Sequence, residues 1–393
     1  MLNVSRANRS VFSQWWWTVD LVLVAAILLL VATGFVFSMA ASPPVAIRLG
    51  LDEFHFVSRQ AMFMVPALAL MFVASLLSPK QMRRVCLIVF VGAALLMVYS
   101  LIAGVEIKGA RRWVDIFGFR LQPSEFAKPA FVVLAAWLFA EGIRNKEMPG
   151  AIMAGGLMTI FAVLLILQPD FGQTLLVAIV WGAMFFVAGM PWIWISGFAA
   201  IGLVGIGVAY LFLPHVTDRI DRFLVPGTGD TFQVDTALSS FLRGGWFGRG
   251  PGEGIEKRSL PDSHTDFVFA VAAEEFGIII CLLLVALFAF IVLRVLIRVF
   301  AEEDDFTRFA TTGLISMFGL QALINMAVNL QLIPAKGMTL PFISSGGSSL
   351  LSMSLAMGMV LGLTRHNRDM ASLINLKPIF ARNLFGVGAR RIH

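Results

Sequence analysis

Ten stretches of nearly unbroken apolar residues alternate with short polar segments along the chain, at about 18–40, 55–78, 82–104, 123–142, 150–168, 171–189, 192–213, 265–297, 308–331 and 341–364. A membrane-crossing helix needs about 20 such residues, and in lipid a lone segment satisfies its backbone only as a helix. The pattern predicts an all-α polytopic membrane protein with ten transmembrane helices. They form a single domain over 1–364, with a large loop at 214–264 between spans seven and eight and a basic tail at 365–393. The first span exceeds the roughly 7–15 apolar residues of a signal peptide and is expected to persist. Trp15, Trp16 and Trp17 before it suit an interfacial anchor. Spans five and six meet at "LQPDFGQ" (167–173), where Pro169 and Gly172 break the helix and Asp170 marks the turn. The eighth run is too long for a straight perpendicular crossing, so it tilts or projects.

The composition supports this picture and narrows the partners. Of 393 residues 58% are hydrophobic and 14% charged, below the roughly 25% of a soluble domain. The net charge of +6 does not call for nucleic acid, because membrane proteins gather Lys and Arg in cytoplasmic loops. An even span count puts both termini on one side. Placing them in the cytoplasm collects Lys80, Arg83, Arg84, Arg144, Lys146, Arg294, Arg298 and the basic tail there, with fewer cations opposite. Cys86 and Cys281 fall inside apolar runs and imply no disulfide framework.

With that orientation the unusual chemistry falls on the outer face. "HTDF" places His264 and Asp266 where the eighth span meets a polar loop. Asp266 reads either as a first-turn acid favoured by the helix dipole or as a general base whose pKa is raised by partial desolvation. Glu274 and Glu275 lie deeper in the same span and read as structural ion-pair partners or as a proton path. "QPSEFAK" sets Glu125 and Lys128 at i,i+3 on one helix face. Lys108, Arg111 and Arg112 just before it form a basic cluster suited to an anion such as phosphate, or to lipid headgroups. "LPFISSGGSS" brings Ser344, Gly346 and Gly347 to the start of the last span, after Lys336. A helix start there can hold an anion, and small residues there can equally serve close packing. The chain has no Walker loop, no GxSxG and no HExxH, so ATP-driven transport by this chain alone is not expected.

Together "KGARRW", "QPSEFAK", "LQPDFGQT", "LPDSHTDFVFAVAAEEFG" and "PAKGMTLPFISSGGSS" resemble the SEDS family (shape, elongation, division and sporulation proteins) over nearly the whole chain, and its division branch most of all. The resemblance implies a ten-helix peptidoglycan glycosyltransferase of the bacterial inner membrane. Such an enzyme polymerises lipid II at the division site, with its active site facing the periplasm. It implies that Asp266 is the essential aspartate, and that Glu125, Lys128 and Lys336 are functional. The other candidates for substrate contact are Lys108, Arg111, Arg112, His264, Ser344, Gly346 and Gly347. The implied partners are a class B penicillin-binding transpeptidase and division-activating membrane subunits. A divalent cation, Mg2+ or Mn2+, is a possible cofactor that the residues leave open, as they do the metal site. The alternatives are a lipid II flippase and a non-catalytic division scaffold. Two positions depart from the family pattern: Ser345 stands where Tyr is usual in "SYGGSS", and Val225 where Asp is usual in "RFLDP".

Overall fold

The computed structural model describes residues 11–107, 110–116, 118–212, 216–217, 220–221, 223, 232–334 and 337–365. In chain order its helices are α1 (Val11–Thr18), α2 (Leu21–Arg48), α3 (His55–Leu76), α4 (Pro79–Ala103), α5 (Pro123–Arg144), α6 (Gly150–Leu167), α7 (Phe171–Val187) and α8 (Trp192–Phe212). They continue with α9 (Phe232–Gly244), α10 (Glu256–Ser259), α11 (Val268–Val299), α12 (Asp305–Asn329) and α13 (Gly347–Leu363). Among the described residues α2, α3, α4, α5, α6, α11 and α12 are long and apolar enough to cross a membrane. The three other expected runs hold shorter apolar helices: α7, α13 and the 196–212 part of α8. The protein is a multi-pass, helical membrane protein. Large apolar side chains such as Leu29, Val65, Ile88, Ile152 and Leu283 remain on its lateral surface, where lipid rather than water surrounds them.

Two features refine the expected layout. Between α4 and α5 the chain forms a three-stranded antiparallel meander, β1 (Val105–Ile107), β2 (Ala110–Ile116) and β3 (Phe119–Leu121), in the order β1-β2-β3. The 214–264 segment is also not featureless: α9, α10 and an ordered turn at 245–255 fold back against α11.

That return is built around a break in α11. Gly277 has φ +83 and interrupts the helix. A Cβ there would lie 2.4 Å from both Gly248 N and Trp246 O, and the left-handed φ is open to glycine at little cost. The backbone freed at the break pairs with the loop: Arg249 N and Gly250 N donate to Glu274 O and Glu275 O, and Ile278 N donates to Gly245 O. Glu274 Oε1 accepts from Ile255 N (2.6 Å) and Glu256 N (2.9 Å). Glu275 accepts from Gly252 N (3.0 Å) and forms a buried ion pair with Lys257. Backbone amides thus satisfy Glu274, and Glu275 gains the ion pair that the sequence offered as one reading. Lys257 Nζ also donates to Ala40 O at 3.0 Å. That carbonyl needs an outside donor because Pro44, four residues on inside α2, has no N–H.

Charge also ties the far end of the bundle. Asp20 caps α2 by accepting from Val22 N and Leu23 N, and its carboxylate pairs with Arg294 (2.6 Å) and Arg298 (2.7 Å) of α11. Of the three tryptophans Trp15 turns inward, its indole N–H donating to Ser75 Oγ at 2.7 Å, while Trp16 and Trp17 are exposed. Only the latter two can serve as the expected interfacial anchor.

Candidate active site

The N-termini of α5, α7, α11 and α13 meet at one end of the bundle. Gln122 N donates to Ser348 Oγ (3.1 Å), Ser352 Oγ to Glu125 O (2.6 Å), and Gln173 Nε2 to Glu125 Oε1 (3.1 Å). The loop before α13 is stitched to the turn before α11. Ser345 N donates to His264 O (2.9 Å), and Ser344 Oγ lies between Leu340 N, which donates to it at 2.8 Å, and Thr265 O, which it reaches as donor. Four helix N-termini facing one region favour negative charge there.

Asp266 sits in that seam, half-buried, in a turn that ends just before α11. Asp262, at φ +55, makes the turn, and its carbonyl accepts from Thr265 N and Asp266 N. The Asp266 carbonyl is bound by Asn325 Nδ2 and by Asn329 Nδ2, each at 2.9 Å. Its carboxylate faces Gly337, where a Cβ would lie 3.2 Å from Oδ2. His264, two residues earlier, is buried against the Phe56 ring at 4.4 Å.

Beneath this seam lies a buried polar tetrad. Lys128, 0% exposed, donates to Glu125 Oε1 (2.8 Å), Gln173 Oε1 (2.9 Å) and Gln321 Oε1 (3.2 Å). An ammonium has three protons, and all three are used. A charge buried here is tolerable only because it is paired and fully hydrogen-bonded. Gln321 then carries the connection outward, its Nε2 donating to Thr339 O (3.0 Å), and Thr339 Oγ1 contacts Ser349 Oγ at 2.7 Å. Glu125 Oε2 has no hydrogen-bond partner among the described residues.

The chain matches the family described as "Cell cycle protein" (FtsW/RodA/SpoVE) over residues 20–369. It belongs to this family. A relative from Caulobacter vibrioides, named "Probable peptidoglycan glycosyltransferase FtsW", is 47% identical, with 92% of this chain and 93% of the relative covered. One from Escherichia coli O6:H1 with the same name is 32% identical, with 86% and 84% covered. Among solved structures, one described as "Structural coordination of polymerization and crosslinking by a peptidoglycan synthase complex" superposes with a TM-score of 0.73 at 28% identity. It covers 90% of this chain and 99% of its own. The crystal structure of Thermus thermophilus Rod shape determining protein RodA gives a TM-score of 0.65 at 28% identity, covering 89% and 97%.

Not every cation expected at the site of this FtsW/RodA/SpoVE member is free for a ligand. Arg112 grips the turn between α6 and α7: Nε donates to Gln168 O (2.8 Å), Nη2 reaches Pro169 O, and Nη1 lies 3.4 Å from Asp170 Oδ2. Burial pushes the Asp170 carboxyl above its usual range, and the Arg112 charge opposes that rise. Arg111 is 49% exposed and pairs with Glu106 at 3.3 Å. Lys108, Lys336 and Val225 lie outside the described residues. Gly346 caps α13 in extended backbone. Gly347 is a packing position, since a Cβ there would lie 2.8 Å from the Phe63 ring. Ser345 hydrogen-bonds Gln60 Oε1 at 2.7 Å, so the residue that replaces the usual Tyr is itself part of the stitching.

Sequence reasoning passed over four amides that the site uses: Gln173, Gln321, Asn325 and Asn329. A signal was available for three of them. Gln321, Asn325 and Asn329 recur every fourth residue in an otherwise apolar run, which puts them on one helix face.

Proposed function

We propose that this chain is a peptidoglycan glycosyltransferase that polymerises lipid II at the division septum of the bacterial inner membrane, with Asp266 as general base on the periplasmic side. The observation that carries the reading is a carboxylate held by its own backbone in a non-helical turn, at the end of the bundle where four helix N-termini gather. A lipid-linked substrate explains the setting: its polyprenyl tail stays in the bilayer while its sugars lie outside.

In the reaction the 4-hydroxyl of one GlcNAc attacks C1 of a lipid-linked MurNAc. The new O4–C1 bond forms, the bond from C1 to the pyrophosphate oxygen breaks, and undecaprenyl pyrophosphate leaves. Asp266 takes the hydroxyl proton. Charge developing on the pyrophosphate is met by the helix N-termini and by basic side chains. Arg111, Lys108 and Lys336 are the candidates, because Arg112 is committed to the 168–170 turn. Lys128 is committed to the tetrad and supports the site from below. Among the described residues no three His, Cys, Asp or Glu side chains converge as a metal cage. A Mg2+ or Mn2+ ion would not need one, since a single carboxylate such as Asp266 and substrate phosphate oxygens suit it. It would supply Lewis-acid neutralisation of the leaving group.

The partner is a class B penicillin-binding transpeptidase, with division-activating membrane subunits regulating the pair. The experiment gives labelled lipid II in detergent to the purified chain and its transpeptidase, the transpeptidase's own chemistry blocked by a β-lactam. Detergent has no leaflets, so flipping is meaningless there. Glycan strands are expected. Their absence from a well-folded complex that moves lipid II across vesicles would replace the enzyme reading with transport.

A further inference from the structure

Gln321, Asn325 and Asn329 of α12 are buried, and each makes hydrogen bonds off its own helix. A step of four residues advances about 6 Å along a helix and drifts about 40° around it, so the three amides form one stripe about 12 Å long, running toward the end that carries Asp266. At the deep end Gln321 Oε1 accepts from Lys128, and its Nε2 donates to Thr339 O. One turn on, Asn325 Nδ2 donates to both Met338 O (2.6 Å) and Asp266 O (2.9 Å). At the last turn Asn329 Nδ2 donates to Asp266 O while its Oδ1 accepts from Ala270 N at 3.2 Å. The partners fix which amide atom is which: an ammonium or a backbone N–H requires oxygen, and a carbonyl requires nitrogen.

The Asn329 contact has a specific effect on Asp266. In a continuing α-helix Ala270 N would donate to Asp266 O. Asn329 takes both ends of that bond, and the Ala270 N–H is shared between Asn329 Oδ1 and Phe267 O. The amide is therefore wedged into the first turn and stops the helix short of Asp266. Hydrophobic patterning starts the span at 265, and the observed helix starts at 268.

We propose that Gln321, Asn325 and Asn329 are positioning residues forming one amide ladder, which sets the Asp266 turn, the 337–340 loop and the Lys128 ammonium at fixed distances from one another. The consequence for catalysis rests on the reading of Asp266 as the base. None of the three touches the substrate; each acts through a backbone carbonyl or through Lys128. Buried amides of this kind are costly unless satisfied; Gln321 and Asn325 each join two separate segments, and Asn329 holds the Asp266 turn to the start of α11.

The test uses the full chain with its transpeptidase. Asn325→Leu and Gln321→Met are near in size to the residues they replace and remove the amide contacts. Met317→Ala, at a buried apolar position on the same helix, serves as a control that loosens packing alone. Misplacement of a reacting group by about 1 Å can cost about 100-fold in rate, so kcat is expected to fall by about that factor in both ladder variants. KM for lipid II should stay within about threefold, because ground-state binding is not removed. Met317→Ala should lower the thermal midpoint and leave kcat of the folded protein near wild type. Hydrogen exchange provides a readout independent of activity. Amides of 262–267 and 337–345 should exchange faster in the ladder variants relative to the rest of the chain, and the control should show no such local rise. Wild-type kcat in either folded ladder variant, or unchanged local exchange, overturns the proposal. If the wild-type chain makes no glycan, the base reading falls while exchange still decides the ladder. If Asn325→Leu is not recovered folded, Gln321→Met decides.

Discussion

A lysine with no solvent exposure holds the base of the site together. Lys128 gives all its protons to Glu125, Gln173 and Gln321, so an arginine cannot replace it: a planar fork does not present three tetrahedral donors in so little space. Lys128→Ala leaves Glu125 buried without its counter-charge, a change that costs about 3–5 kcal/mol. The thermal midpoint of the purified protein should therefore fall together with glycan synthesis, and Lys128→Arg should not restore either. Unchanged stability in Lys128→Ala would show that the tetrad does not depend on the ammonium. Gly337 offers a milder probe at the seam. Its absent side chain leaves room beside Asp266 Oδ2, so Gly337→Ala is expected to cut polymerisation while leaving the thermal midpoint within a few degrees. Wild-type polymerisation by that variant would mean that the carboxylate can move aside freely. The sequence made Glu125 and Lys128 conspicuous because charges in an apolar run are rare. Gln321 escaped notice because a lone amide carries no charge, although its spacing to Asn325 and Asn329 was legible.

The element that departs furthest from sequence expectation is α11. An apolar run of this length reads as one helix that tilts or projects. The structure breaks it at Gly277 and fills the break with the 245–255 backbone. The partners of the Glu274 and Glu275 side chains lie in that loop and in α10, 17–23 residues earlier, and no helical spacing rule reaches so far. The ends of most spans were legible within a few residues, since Pro123, Gly150, Asp170 and Asp304 punctuate them chemically. Helix α2 continues past Pro43 and Pro44 to Arg48 because Lys257 serves the carbonyl that Pro44 leaves unpaired, a tertiary contact invisible to local pattern. Gly277→Ala brings a methyl against the loop backbone at positive φ. By overpacking and strain together it should cost about 2–4 kcal/mol, read as a lower thermal midpoint and as earlier proteolysis at 245–255. A variant as stable as wild type would show that the two halves of α11 can merge.

At the scale of the whole molecule, ten apolar runs and the cation distribution together define a multi-pass bundle with distinct ends. The Asp266 end carries helix N-termini and stitched loops, and the other carries Asp20, Arg294 and Arg298. Cysteine accessibility tests which end faces out, with little background because Cys86 and Cys281 are buried. Ser259→Cys should react with an impermeant maleimide on intact spheroplasts, and Asn145→Cys only after lysis. The reverse pattern would place the site on the cytoplasmic side. The chemistry itself is tested most directly by Asp266→Asn, which keeps the side chain's shape and leaves the carbonyl held by Asn325 and Asn329 untouched. With lipid II, transpeptidase and detergent present, the wild-type chain is expected to build glycan strands. The Asp266→Asn chain, equally stable and still bound to its partner, is expected to build none above background, whereas polymerisation near the wild-type rate by that variant would contradict Asp266 as the base.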